Sequence, residues 1–177
     1  MKELGYLFAK IKYKIKHGDK ESVNNFFRNA GVKIGENCTI CCNILSSEPY
    51  LIEIGNDVTI SGNVLFVTHD NSVAKFFGGG YDLYGRITVG NHCFIGQNST
   101  IMYGVTLADN VIVGSGSVVT KSVTESNVII AGNPAKIVGS WENFLKRANN
   151  NAIYTKGFSA EEKKKKVLES EHKFVRR

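Results

Sequence analysis

Between Val89 and Thr120 the chain reads VGNHCFIGQNSTIMYGVTLADNVIVGSGSVVT, and an aliphatic residue returns at every sixth position: Val89, Ile95, Ile101, Leu107, Val113 and Val119. A helix repeats its apolar face at about 3.6 residues and a strand at about 2, so a period of six fits neither as a continuous element. It fits a short strand followed by a sharp turn, stacked as a solenoid, and hexapeptide repeats of this kind build parallel β-helices. A second apolar or small set lies four residues on, at Cys93, Ser99, Val105, Val111, Ser117 and Val123. The residue after each aliphatic is mostly small (Gly90, Gly96, Ala108, Gly114), with Met102 and Thr120 as the larger exceptions. Small residues there predict a corner with no room for a side chain, and glycine would also permit a positive φ.

The same spacing occurs earlier, at Ile34 and Ile40 and again at Ile54, Ile60 and Phe66. Ile40 to Ile54 is a step of 14, two hexads plus two residues, which predicts a short bulge near Ser46–Tyr50. Phe66 to Val89 is a step of 23, which no whole number of hexads fits, and predicts a long excursion from about His69 to Arg86. Solenoids carry insertions as loops on one face, often the binding face. The organisation expected is therefore an N-terminal helical segment over 1–33, an all-β solenoid over 34–139 with a protruding loop at about 69–86, and a C-terminal helical extension over 140–177.

Charge is segregated along the chain. Residues 1–33 hold 8 Lys/Arg against 3 acids and residues 140–177 hold 10 against 5, whereas 34–139 hold 4 against 8. The net +6 belongs to the ends. A nucleic-acid binder would place its basic residues on the folded face, so that class is disfavoured. The basic ends could attract an anionic membrane surface, although a solvated helix face is the plainer reading. No run approaches 18 apolar residues, and lysines interrupt Met1–Gly18, so neither a membrane span nor a secretory signal is expected and the cytoplasm is the default. Leu4, Leu7, Phe8, Ile11 and Ile15 recur at helical spacing among lysines, with Gly18 as the expected stop. A second short helix is expected over about Lys20–Ala30. Trp141, Phe144 and Leu145 predict a further turn or two covering the open end of the solenoid, and Ser159 with Glu162 predicts a capping box for a last helix.

With these features the sequence resembles the left-handed β-helix, hexapeptide-repeat acyltransferases over roughly residues 31–139. The resemblance rests on the repeat, on the long loop after FVTHDNS (66–72), and on GSGSVVTKSV and IIAGNPAKIV within 114–138, which is similar to the family's closing coil. SEPYLIEIG (47–55) and VLFVTHD (64–70) resemble the branch that acetylates sugars of surface polysaccharides. The resemblance implies a left-handed prism of three hexads per coil, so that Val89 stacks on Leu107, Ile95 on Val113 and Ile101 on Val119. It also implies a homotrimer with acetyl-CoA lying in a groove between subunits, a saccharide acceptor, and a histidine near the loop as general base.

Of the four histidines, His17 and His172 lie in the basic ends and His92 in a turn position. His69 follows the apolar run Val64–Val67, opens the long loop, and matches the position of the family's catalytic histidine. Imidazole has the near-neutral pKa that proton abstraction from a hydroxyl needs. Glu48 is the candidate orienting partner, because 21 residues is about one coil plus an offset; Asp70 is the second candidate or an acceptor contact. The resemblance implies oxyanion donors at Gly96–Gln97, a pantetheine path along Gly114, Ser115 and Gly116, and coenzyme A phosphates at Lys121 and Lys136, the only lysines in 87–139. Phe94 stands where a tryptophan is common in the family. Within KFFGGGYDLYGR (75–86), Tyr81, Asp82, Tyr84 and Arg86 are candidate acceptor-site residues, and GGGY lacks the spacing of a phosphate loop. Cys38, Cys41, Cys42 and Cys93 do not complete a metal site, and Cys38 and Cys93 occupy the inward i+4 position. The expectation is an O-acetyltransferase acting on a sugar hydroxyl. Alternatives are an antibiotic or amino-sugar nitrogen as acceptor, or a non-catalytic scaffold. A zinc carbonic anhydrase of the same fold is disfavoured, since only His69 and His92 lie within the repeat.

Overall fold

The computed structural model describes residues 2–15 and 20–175, so the expectations for His17 and Gly18 fall outside the described residues. Two compact units are formed, Met1–Val138 and Gly139–Arg177. The first begins with helices α1 (Lys2–Ile15) and α2 (Glu21–Asn29). Short strands follow: β1 (Lys33–Ile34), β2 (Thr39–Ile40), β3 (Ile52–Ile54), β4 (Thr59–Ile60) and β5 (Leu65–Phe66). The excursion then holds β6 (His69–Asp70), the single-turn α3 (Ala74–Phe77) and β7 (Leu83–Tyr84). After it come β8 (Ile87–Val89), β9 (Phe94–Ile95), β10 (Thr100–Ile101), β11 (Thr106–Leu107), β12 (Ile112–Val113), β13 (Val118–Val119), β14 (Val128–Gly132) and β15 (Ala135–Ser140).

Besides the two-stranded β6-β7 ribbon, three sheets result, ordered β1-β3-β8-β11, β15-β14-β12-β9-β4-β2 and β13-β10-β5. From β8 to β13 the chain visits first, second and third sheet in strict rotation. Successive circuits pair in parallel 18 residues apart: Val89 with Leu107, Ile95 with Val113 and Ile101 with Val119. Earlier circuits keep the rotation but lengthen. Lys33 pairs with Glu53 and Thr39 with Thr59, 20 residues on, because the bulge with its 3-10 turn Pro49–Leu51 adds two residues. Ile52 pairs with Ile87 and Leu65 with Thr100, 35 residues on, because the excursion is inserted between β5 and β8.

The hexad is explained by pleat and corner together. Cys93-Phe94-Ile95 is in, out, in, as alternation in a strand requires: Cys93 and Ile95 are buried and Phe94 is exposed. Gly96-Gln97-Asn98 then turns the corner, and Ser99-Thr100-Ile101 repeats the pattern with Ser99 and Ile101 buried. The left-handed backbone belongs to the third corner residue, with Asn98 at φ 59°, Gly104 at 76°, Asn110 at 59° and Gly116 at 73°. Asparagine and glycine tolerate that region best. The first corner residue is small for a different reason from the positive φ considered at first. Gly90 and Gly96 lack that backbone, but a Cβ on Gly90 would lie 2.7 Å from the Ala108 carbonyl carbon, and one on Gly96 2.5 Å from the Ser115 amide nitrogen.

The core is a column of stacked aliphatics, including the fully buried Ile60, Ile87, Ile95, Ile101, Val111 and Val113. Each such side chain contributes about 1.5–3 kcal/mol by leaving water. The two serines buried in this column are satisfied, Ser99 and Ser117 both donating to the Gly114 carbonyl at 3.1 and 2.6 Å. At one edge α2 seats Phe27 in this core, and Asn24 donates to the Cys38 carbonyl at 3.1 Å. Cys38, Cys42 and Cys93 are buried free thiols and Cys41 is exposed.

The second unit holds α4 (Trp141–Ala148) and α5 (Ala160–Glu169). Ser140 caps α4 by accepting from the Asn143 amide at 3.3 Å. Ser159 and Glu162 form the expected capping box on α5, with bonds of 3.2 and 2.8 Å. Among the described residues no helix is long and apolar enough to cross a membrane.

Candidate active site

The insertion after β5 turns the chain back on itself as an antiparallel ribbon, with His69 opposite Tyr84 and Asp70 opposite Leu83. His69 therefore stands at the root of the excursion, at the corner between the third and first sheets. The 20-residue circuit sets the residue beneath it: one circuit before Thr68 is Glu48, in the bulge. Glu48 Oε2 lies 2.8 Å from His69 Nδ1 and accepts a second bond from Thr68 Oγ1 at 2.6 Å. Thr68 is buried, Glu48 nearly so, and the His69 side chain is 36 % exposed.

This arrangement fixes the protonation chemistry. The carboxylate makes Nδ1 the protonated nitrogen, which leaves the Nε2 lone pair for an incoming proton. The hydrogen bond that His69 donates to Glu48 is the main cause that raises the His69 pKa above its ordinary value; partial desolvation opposes it and the Glu48 charge adds to it. For Glu48 the largest influence is desolvation, which pushes its pKa up. The Thr68 and His69 hydrogen bonds outweigh it, so the carboxyl titrates below its usual range.

The ribbon gathers more polar groups beside the imidazole. Tyr84 packs near it, ring centres 5.9 Å apart, and donates to Asp82 Oδ2 at 3.2 Å. Asn71 donates to Asp82 Oδ1 at 2.8 Å. Asp70 accepts from the Ser72 amide at 2.8 Å, the main reason its pKa is lowered, and from Tyr103 Oη at 3.2 Å. The tip is apolar and exposed, with Phe76 open and the Tyr81 ring 5.8 Å from Phe77. Arg86 lies apart from this cluster. It pairs with Glu53 Oε1 at 2.7 Å, an oxygen that also accepts from Lys33 at 2.7 Å. His92 pairs with Asp57 at 2.8 Å on another, open corner.

The remaining candidates fall into two places. Gly96, Gln97, Gly114, Ser115 and Gly116 stack at the corner between the second and third sheets, where the Gly116 amide donates to the Gln97 carbonyl at 2.8 Å. Lys121 is exposed and stands on the His69 corner, one circuit beyond Tyr103; Lys136 is exposed on β15. One chain thus brings His69, Glu48, Asp70, Asp82 and Tyr84 together and keeps the glycine column at a different corner. Sequence reasoning missed Thr68, Asn71 and Tyr103. Tyr103 lies 35 residues beyond Thr68, the offset of β5 and β10, so the step length sets it on the circuit beside the root of the excursion. Among the described residues no group of three metal-ligating side chains converges.

Comparison with known proteins agrees with this architecture. The model of the hexapeptide repeat of succinyl-transferase matches residues 86–121. Protein CapG of Staphylococcus aureus is 45 % identical over 143 residues, 77 % of this chain and 82 % of that protein. The chain belongs to the hexapeptide-repeat acyltransferase family. A maltose O-acetyltransferase from Clostridium difficile 630 shares the fold at 22 % identity, over 78 % of this chain and 85 % of that one, with a TM-score of 0.55. The polySia-specific acetyltransferase NeuO is 25 % identical over 80 % of this chain and 62 % of its own, with a TM-score of 0.52.

Proposed function

We propose that this protein transfers acetyl from acetyl-CoA to a sugar hydroxyl, with His69 as general base, and that it works as a homotrimer of left-handed prisms. The observation that carries the reading is the Thr68–Glu48–His69 chain of hydrogen bonds at the root of the excursion, with Nε2 left free. Family membership supplies the acyl-transfer class. The sugar assignment draws on the saccharide named for NeuO and on the polar, aromatic ribbon beside His69.

In this reading His69 Nε2 takes the proton of the acceptor hydroxyl as its oxygen attacks the thioester carbonyl carbon. The carbonyl oxygen becomes an oxyanion, met at the Gly96–Gln97 corner of a neighbouring subunit by the Gln97 amide, since the Gly96 amide donates to the Val113 carbonyl at 2.8 Å. Collapse breaks the C–S bond, the imidazolium returns its proton to the sulfur, and the products are the acetyl ester and free coenzyme A. Glu48 holds the imidazole in register and stabilises its charged state while the proton is carried. Lys121 and Lys136 serve the coenzyme A phosphates as point charges. Gly114, Ser115 and Gly116 follow the pantetheine, and Asp70, Tyr81, Asp82 and Tyr84 receive the sugar.

The test is thiol release from acetyl-CoA across a panel of sugars and nucleotide sugars, with His69→Ala beside the wild type. Turnover with at least one sugar, lowered about 10²–10⁴-fold by His69→Ala, is the expected result. Turnover that survives the substitution removes the base assignment. A folded protein that releases no thiol with any hydroxyl acceptor removes the activity.

A further inference from the structure

We propose that the exposed face of α1 seats this chain on an anionic lipid surface, with Leu4, Leu7, Phe8 and Ile11 at the boundary between headgroups and acyl chains. The proposal is independent of the acetyl-transfer reading. Helix α1 is amphipathic, and a helix that only needed to cover a solenoid edge would turn its large apolar side chains inward. It does the reverse. Leu4 is 59 % exposed, Leu7 54 %, Phe8 58 % and Ile11 42 %.

The side that packs is made of small residues and one aromatic. Ala9 is buried, and Tyr6 stacks on Phe27 with ring centres 5.7 Å apart. Gly5 comes so close to α2 that a Cβ would meet the Phe26 ring at 2.9 Å. Lys10 turns to the same side, donating to the Cys41 carbonyl at 3.3 Å. The helix is therefore held by one face and presents a continuous leucine, phenylalanine and isoleucine stripe on the other.

Charge selects the occupant. Besides Lys10 on the packed side, residues 1–16 carry Lys2, Lys12, Lys14 and Lys16 against Glu3 alone. A second copy of the same face, related by a two-fold axis, would bring two such lysine sets together. An anionic bilayer matches both properties at once: apolar side chains enter the interface while lysines meet the headgroups. The lysine run of α5, Lys163 to Lys166, offers charge without such a stripe, and makes an internal control.

The experiment is co-sedimentation of the full chain with phosphatidylglycerol-containing vesicles and with pure phosphatidylcholine vesicles. Variants are Leu7→Ser with Phe8→Ser, and Lys163–Lys166 all changed to Gln. Circular dichroism and sedimentation velocity on each variant report fold and assembly. Wild type is expected to pellet with the anionic vesicles only, the Leu7/Phe8 variant to bind at least about tenfold more weakly with fold and assembly unchanged, and the α5 variant to bind nearly as wild type. Wild type remaining in the supernatant overturns the proposal. So does undiminished binding by the Leu7/Phe8 variant, which would mark simple charge adsorption. A change of oligomeric state in that variant would assign the stripe to a second copy of the chain instead.

Discussion

Replacing Thr68 by Val isolates one bond of the site. Valine keeps the branched shape but removes the Oγ1 donor that lies 2.6 Å from Glu48 Oε2. Thr68 is 1 % exposed and the Glu48 side chain 13 %, so water does not readily take the vacated position. A hydrogen bond to a charged group contributes about 1.5–3 kcal/mol, and at this chain length each kcal/mol moves Tm by about 2–4 °C. Thr68→Val should therefore lower Tm by about 3–12 °C at neutral pH. The sign of the pH dependence follows from Glu48, whose folded pKa is depressed. Stability from such a group is present above its unfolded pKa, about 4.3, and is lost as pH falls through the lower folded value. The gap between variant and wild type should accordingly narrow below about pH 4. In the acetyl-CoA assay kcat should fall about tenfold or more, with KM for acetyl-CoA unchanged, because only the carboxylate's placement is affected. Differential scanning fluorimetry over a pH series and steady-state kinetics check both halves. An unchanged Tm together with wild-type kcat would refute the positioning role of Thr68.

Glu48→Gln should lower kcat and also move the acidic limb of kcat/KM to lower pH, since the Glu48 bond is what raises the His69 pKa and the base must be neutral to act; a limb that stays put contradicts the pairing. Gly96→Ala should destabilise the fold, because its Cβ would stand 2.5 Å from the Ser115 nitrogen and 2.7 Å from the Val113 oxygen; thermal melts equal to wild type would show that the corner has space. Lys121→Ala with Lys136→Ala should raise KM for acetyl-CoA more than for dephospho-CoA thioesters, and equal effects would remove the phosphate assignment.

The repeat was legible because its cause is local. Two inward side chains flank one outward residue and a three-residue corner follows, so composition at fixed spacing records the circuit directly. Departures from six also located the bulge and the excursion. Glu48 could be nominated by counting along the chain, since stacked circuits turn sequence distance into height. Other features depend on which surface a residue meets. The α1 periodicity defines an apolar stripe but not the side that packs, and here Gly5, Tyr6 and Ala9 take that side. Arg86 reads as a loop cation, yet the 35-residue step sets the strand that follows it beside Glu53. Thr68 and Tyr103 carry no motif signal, because their roles arise only when three circuits are stacked.

In the proposed trimer the imidazole and the thioester donors come from different chains, because His69 and the Gly96–Gly116 column occupy different corners. Mixing His69→Ala subunits with subunits blocked at the column by Ser115→Trp tests it most directly. Each homogeneous variant should be inactive. Co-refolded mixed trimers should recover activity, since every mixed trimer regains one interface with both halves intact. A mixture as inactive as its parents, with mixed trimers verified by native mass spectrometry, would contradict the claim.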